Sequence, residues 1–378
     1  MIKPIYFDNN ATTQIDDKIL NAMLPYLQDN FGNPSSIYVF GKNIKEKIEN
    51  SRTIIAKYFN CDKDEIIFTS GASESNTTAI MSAVRNNPNK KHIITTKVEH
   101  ASILENMKYL ESIGYNITYL SVNQYGQIDL NELKSSITSD TFLISIMLAN
   151  NEIGNIYPIE EISRIAIQNN ILLHVDAVQA IGKMNIDVKK LNVNTLSVSG
   201  HKIHAPKGIG ILYVKNTTPF TPLIFGHQEN NRRGGTENVP YIIGIGKAFE
   251  LISNNSEELI QIQQLRDKLE NELKNSINNI EIFGDTINRL PNTTNILFEG
   301  IKGEELLIML EQNNIFVSTG SACNSFDIEP SHVLKAINVN FSHGSPIRIS
   351  LSKHTTENEI DILVKKLINI VNMLRKRG

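Results

Sequence analysis

Between residues 65 and 214, short and almost uninterrupted apolar runs alternate with longer amphipathic stretches, and this alternation constrains the fold more than any other property of the chain. The runs are EIIFT at 65–69, HIITT at 92–96, ITYLS at 117–121, FLISIML at 142–148, ILLHV at 171–175, TLSVS at 195–199 and IGILYV at 209–214. Strands this apolar on both faces suit a sheet covered on both sides. The stretches at 73–85, 101–112 and 159–168 carry apolar residues at helical spacing. Strands and helices in turn predict an α/β domain with a mostly parallel sheet.

The pattern changes after Val239. A helical stretch over 240–277, broken near Asn254 and Asn255, leads into shorter units. These are a strand at 295–298, a helix at 304–312, a strand at 315–318, a helix at 331–337, a strand at 347–350 and a helix from about Thr356. They predict a separate α+β domain, as a chain of 378 residues is too long for one small core. The expected division is an N-terminal arm at 1–14 packing with the small domain, a large domain at 15–252 and a small one at 253–378.

Composition mainly excludes. A net charge of −3 and a pI near 6.3 give no reason to expect nucleic acid or a membrane surface as partner. The basic Arg375, Lys376 and Arg377 read as a solvated helix end. No window approaches a membrane span, and no basic stretch followed by an apolar run opens the sequence. Cys61 and Cys323 are too few for a disulfide framework, which predicts a reducing, cytoplasmic setting.

The familiar nucleotide and zinc signatures fail. Gly208-Ile209-Gly210 lacks the third glycine of a dinucleotide fingerprint, and Gly244-Ile245-Gly246-Lys247 lacks the rest of a P-loop; both read as turn or packing glycines. There is neither HExxH nor paired CxxC. Five other stretches can carry chemistry. Thr69–Asn76, TSGASESN, leaves a strand and opens a helix, so Ser73 serves either as a helix cap or as a phosphate donor at a helix N-terminus. Asp176 ends an apolar strand, where a buried carboxylate needs a cation, a salt bridge or a helix to cap. Lys202 sits between strands in SGHKIHAPKG; a lysine there suits a Schiff base if its pKa is lowered, whereas Lys207 reads as a solvent-facing loop lysine. Cys323 lies among small polar residues in STGSACNS, unlike Cys61, whose apolar approach at 58–61 reads as a strand hiding an inert thiol. Arg348 alternates with the apolar residues of IRIS, so it is either a carboxylate fork or a surface arginine.

Taken together these stretches resemble the cysteine desulfurases of the fold-type I pyridoxal-phosphate enzymes, also called class V aminotransferase-like. The likeness runs through YFDNNATT at 6–13, FGNPSS at 31–36, FTSGASESN at 68–76, VEH at 98–100, NNEIG at 150–154 and HVDAVQ at 174–179. It continues through SGHKIHAPKGIG at 199–210, RGGTEN at 233–238, STGSACNS at 318–325, EPSHVLKA at 329–336 and IRISLSKHTTENEID at 347–361. It implies a fold-type I transferase whose cofactor is pyridoxal 5′-phosphate (PLP), and conversion of L-cysteine to L-alanine. Lys202 would hold the cofactor as a Schiff base and move the Cα proton, Asp176 would pair with the pyridine nitrogen, His100 would stack on the ring and shuttle protons, and Gln179 would bond the ring oxygen. Ser73, Ser199 and His201, with backbone help from Ala72, would hold the phosphate. Thr236 would reach the phosphate of a partner subunit, which implies a homodimer. Asn150, beside the cofactor, and Arg348 would grip the substrate carboxylate, and Cys323 would receive the sulfur as a persulfide.

No resident metal is implied; Cys323 would serve at most as a transient iron–sulfur ligand. The long loop ending at Glu329-Pro330-Ser331 resembles the subgroup that hands persulfide to iron–sulfur scaffold proteins, with tRNA thiolation as the other destination. A selenocysteine lyase or other lyase of the same family is the rival enzyme reading, and a non-catalytic assembly partner is the rival class. The chain departs from the family at Asn230 and Asn231, where arginine and glycine are usual, at Tyr38, and at His204-Ala205.

Overall fold

The structure, a computed structural model, describes residues 4–253, 255–319 and 330–376. In order, β1 (Ile5–Tyr6), α1 (Asp17–Gln28), α2 (Val39–Phe59), β2 (Ile66–Thr69), α3 (Ala72–Asn86), β3 (His92–Thr96), α4 (Ala101–Ser112), β4 (Asn116–Leu120), β5 (Thr141–Met147), β6 (Leu172–Asp176), β7 (Thr195–Ser199) and β8 (Gly210–Val214) build the first part. Among the described residues β2 to β8 form one sheet in the order β2-β8-β7-β6-β5-β3-β4. The links from β4 through β3, β5 and β6 to β7 are parallel, and only β8 runs antiparallel to its neighbours β7 and β2. Every residue of β2, β3, β5, β7 and β8 is buried, as near-continuous apolar runs require.

The expected strands and helices appear with ends shifted by a residue or two, but one long element was not expected. α2 spans 21 residues and buries Ile44, Ile48, Ile55 and Phe59 along one face. This corrects the reading of 58–61 as a strand approach: Asn60 closes α2 in the left-handed conformation, and half-buried Cys61 follows it. Its thiol is pushed up to about 12 by burial first and then by Glu65 and Asp62, so the expectation of an inert thiol stands on different geometry. The helix Val239–Ile252 lies across α1 and α2 at close range. A Cβ on Gly244 would come 2.6 Å from Met23 Sδ, and one on Gly246 would come 2.5 Å from Ser51 Oγ. Those glycines are there for packing.

Beyond it, the helices Ser256–Ser276 and Glu357–Arg375 cover an antiparallel sheet of β9 (Ile280–Ile282), β10 (Thr293–Phe298) and β12 (Ile347–Ser350), in the order β12-β10-β9. β11 (Ile315–Phe316) pairs in parallel with β1, and Phe7 is buried in the apolar cluster of this part. The N-terminal segment therefore belongs structurally to the C-terminal core, and the next residues cross toward the large sheet. Asn10 marks the crossing: its amide donates to Asn151 O (3.0 Å) and Thr293 Oγ1 (2.8 Å) and accepts from Asn292 Nδ2 (3.0 Å).

Candidate active site

The central strands of the large sheet end at one place. Met147 closes β5, Asp176 closes β6 and Ser199 closes β7, and all three line a cavity of about 640 Å3. Parallel strands carry their ligands at these carboxyl ends because the following loops converge there.

Lys202 leaves the short helical turn Gly200–Lys202 after β7, and its amine donates to the carbonyls of Asn10 and, at 2.7 Å, Ala11. The same Asn10 carbonyl accepts Gln179 Nε2 at 3.0 Å. Gln179 Oε1 accepts Lys183 Nζ at 2.9 Å, and Lys183 also donates to Asn10 Oδ1 at 3.1 Å. Burial first, then the positive charges of Lys202 and Arg348, hold the Lys183 amine well below its usual range. Asp176 Oδ2 accepts Asn76 Nδ2 from α3 at 2.9 Å, and Oδ1 accepts the Val178 amide at 2.9 Å. Its burial is thereby compensated without a salt bridge.

His100 caps α4. Its Nδ1 accepts the Ser102 amide at 3.1 Å, which leaves Nε2 to carry the proton of the neutral ring. Burial, joined by Lys202 and His332 and opposed by Asp176, lowers its pKa. His201 meets Thr12 Oγ1 at 3.1 Å and is lowered to about 4 by burial and by Lys202, Lys207 and His100, so it is a neutral donor at ordinary pH. α3 begins at Gly71 with no side-chain cap, and its first residues Ala72 and Ser73 line the cavity. The first amides of a helix have no intrahelical acceptor, so an anion there would be met by aligned N–H groups. Gly210 makes room for this turn: a Cβ on it would lie 2.6 Å from Gly71 C. Arg348 reaches the cavity from β12, donating through Nη1 to Asn151 O (3.1 Å) and through Nη2 to Asp8 (2.7 Å).

The cavity thus collects Lys202, Asp176, His100, Gln179, Ala72, Ser73, Ser199, His201 and Arg348. Asn150 is a correction. Its side chain is fully buried, donating to Val98 O at 3.0 Å and accepting the amides of Glu152 and Ile153. The asparagine on the cavity wall is Asn151. Thr236 is exposed and lines a separate, smaller cavity with Arg233 and Gln228, which meets the large one only at Ser70 and Gly208. Exposed Lys207 lies at the mouth. Cys323 lies outside the described residues.

Asn10, Asn76, Asn151 and Lys183 were not singled out from sequence. YFDNNATT, FTSGASESN and NNEIG contain the first three, but nothing in those stretches says which asparagine faces inward. Two buried carboxyls behind the cavity were also missed. Glu99, held by Thr96 Oγ1 (2.7 Å) and the Met147 amide (3.0 Å), is pushed up to about 8 by burial. Glu152 is pushed up to about 7 by burial, against the hydrogen bond from Ser331 and the charge of Arg348. Ser331 donates to Glu152, and His332 Nε2 meets the Glu99 carbonyl at 2.8 Å, so the start of the helix His332–Ala336 is docked beside His100 and Asn151.

The residues present fit PLP: an amine, a carboxylate at a strand end, an imidazole and an uncapped helix N-terminus converge on one cavity. A mostly parallel sheet with such a lysine after its strands defines the fold-type I PLP-dependent enzymes. The chain belongs to the class-V aminotransferase family, whose profile matches residues 5–363. A cysteine desulfurase of Trichormus azollae is 48% identical over 375 residues, 98% of this chain and 94% of that protein. The structure of a NifS-like protein superposes with a TM-score of 0.92 at 39% identity, covering 98% of this chain and all of the other. SspA in complex with cysteine superposes with a TM-score of 0.83 at 36% identity, covering 93% of this chain and all of the other.

Proposed function

We propose that the protein is a PLP-dependent cysteine desulfurase that converts L-cysteine to L-alanine and carries the sulfur on Cys323. The observation that supports this most is the convergence of Lys202, Asp176, His100 and the α3 N-terminus on one cavity that Arg348 enters from the other core. PLP, when bound, supplies an electron sink for the pair left at Cα when its proton departs. Asp176, fixed by Asn76 and the Val178 amide, would pair with the pyridine nitrogen and favour its protonated form. Ala72, Ser73, Ser199 and His201 would hold its phosphate, and His100 and Gln179, which line the same cavity, would hold its ring. Arg348 binds the substrate carboxylate, with Asn151 in the place first given to Asn150.

Lys202 Nζ takes the Cα proton. The Cys323 thiolate attacks the substrate Sγ; an S–S bond forms and the Cβ–S bond breaks. The bonding pair stays on the substrate's Cβ, which takes a proton to become the methyl group, and Lys202 Nζ gives a proton back to Cα to complete alanine. The persulfide is then available to an acceptor, for which an iron–sulfur scaffold is the reading the 329–336 stretch favours. Exposed Thr236 on a rim of its own suits a homodimer in which it reaches the partner's phosphate. A cytoplasmic setting completes the reading.

Borohydride treatment of the PLP-loaded protein should fix the cofactor on the peptide containing Lys202. Cys323→Ala should retain the cofactor's visible absorbance yet release no sulfide with a reductant. Sulfide release at the parent rate would remove Cys323 from the scheme, and cofactor fixed elsewhere would remove Lys202.

A further inference from the structure

The first turn of α3 carries a charge of the wrong sign. Glu74 follows Ala72 and Ser73, lines the same cavity, and is one-tenth exposed at its side chain. A bare carboxylate beside a phosphate raises the energy of both. In the structure this carboxylate is not bare. Arg233 meets it with two bonds, Nε to Oε1 at 2.9 Å and Nη2 to Oε2 at 3.2 Å, and the Ser70 amide donates to Oε2 at 2.9 Å. Burial pushes the Glu74 carboxyl up, but the hydrogen bonds from Arg233 and Ser70 and the charge of Arg233 bring it below its usual range. It therefore stays ionised and spends its charge on Arg233.

Arg233 comes from the loop over 226–236, far from α3 in sequence. The loop is pinned at its other end, where Glu229 takes two bonds from Arg52, at 2.7 and 2.9 Å, and accepts the Phe68 amide at 3.0 Å. The guanidinium beside Glu74 is thus held by a buried anchor and is not an opportunistic surface contact.

We propose that Arg233 is a charge-neutralising residue of the phosphate site: its bidentate pairing with Glu74 cancels the carboxylate that α3 carries next to the cofactor phosphate. This rests on the proposed PLP reading and extends it to two residues that the reading does not use. Cofactor retention then depends on the 226–236 loop, which also carries Thr236.

The test is the PLP dissociation constant of the full-length protein, measured by equilibrium dialysis. Arg233→Ala should weaken binding about tenfold or more, the size expected when a partly buried carboxylate is left unneutralised beside another anion. Adding Glu74→Gln to Arg233→Ala should bring binding back to within about threefold of the parent, because the repulsion is gone. Glu74→Gln alone, which keeps the arginine, should bind at least as tightly as the parent. The proposal is overturned if Arg233→Ala binds like the parent, if the double variant binds no better than Arg233→Ala, or if Glu74→Gln alone weakens binding. A parent that binds no PLP would instead remove the functional reading beneath it.

Discussion

Arg52→Met isolates the buried anchor of the 226–236 loop. The Arg52 side chain is 8% exposed and that of Glu229 3%, and the guanidinium also donates to Ile66 O at 2.8 Å and lies 4.7 Å from the centre of the Phe68 ring. Methionine keeps the bulk but leaves the Glu229 carboxylate buried with only the Phe68 amide of its present donors. Removing one partner of such a pair costs about 3–5 kcal/mol. The loop holds further strain, since Glu229, Asn230 and Asn231 stand in succession at φ of 50, 56 and 62°, a region non-glycine residues enter at some cost. The chain need not unfold to relieve this. Local opening of the loop rehydrates Glu229, so the lost energy appears as a larger open population. About 3 kcal/mol is a factor of about 150 in that population. Arg232 and Arg233 lie in the loop and are trypsin sites, and cleavage follows the open population when opening and closing are fast. Native-state trypsinolysis of Arg52→Met should therefore cut after these arginines about 100-fold faster than in the parent. Arg52→Met with Glu229→Gln removes the stranded charge and should return the rate to within about tenfold. Cleavage of the single variant at the parent rate would refute the account of the pair as the loop's anchor.

Three other outcomes are expected. Asn151→Ala should lower kcat/KM for cysteine about tenfold through its place on the cavity wall, whereas Asn150→Ala should lose about 1–3 kcal/mol of stability by stranding the Glu152 and Ile153 amides; urea melts and kinetics separate the two. Burial raises Glu99 from 4.5 to about 8, so its contribution to stability is fully present below its unfolded value and lost as pH rises through about 8. Glu99→Gln should accordingly gain on the parent between about pH 5 and about pH 9 in urea midpoint, and an equal difference at both would contradict a raised carboxyl. With Cys61 pushed up to about 12, Cys323→Ala should react with iodoacetamide only slowly at neutral pH, and rapid labelling of Cys61 would show that its thiol is not held down by burial.

Much of the site was readable because it rests on few residue types at strand ends. Asp176 and Ser199 end apolar strands, Ser73 and Lys202 stand a few residues beyond one, and a strand fixes where its last residue points. Asn150 was misassigned for the same reason: NNEIG follows β5 in a turn, where no period of two says which asparagine faces inward. Val39–Phe59 was missed although Ile44, Ile48, Arg52, Ile55 and Phe59 recur at helical spacing. Lysines and asparagines between them hid the stripe, and the helix is stabilised by packing on the helix Val239–Ile252 more than by its own composition.

The sequence by itself determined the alternation of strand and helix, the parallel sheet, and the side chains waiting at its carboxyl ends, because those follow from periodicity and strand direction alone. Only the tertiary structure decided which groups meet: that Asn10 joins both cores beneath Lys202, that Asn76 steadies Asp176, that Glu74 spends its charge on Arg233, and that Asn151 takes the wall. These are contacts between segments separated by tens to hundreds of residues, and no local preference encodes them; they exist because burying two apolar cores at once leaves one way to bring those segments together.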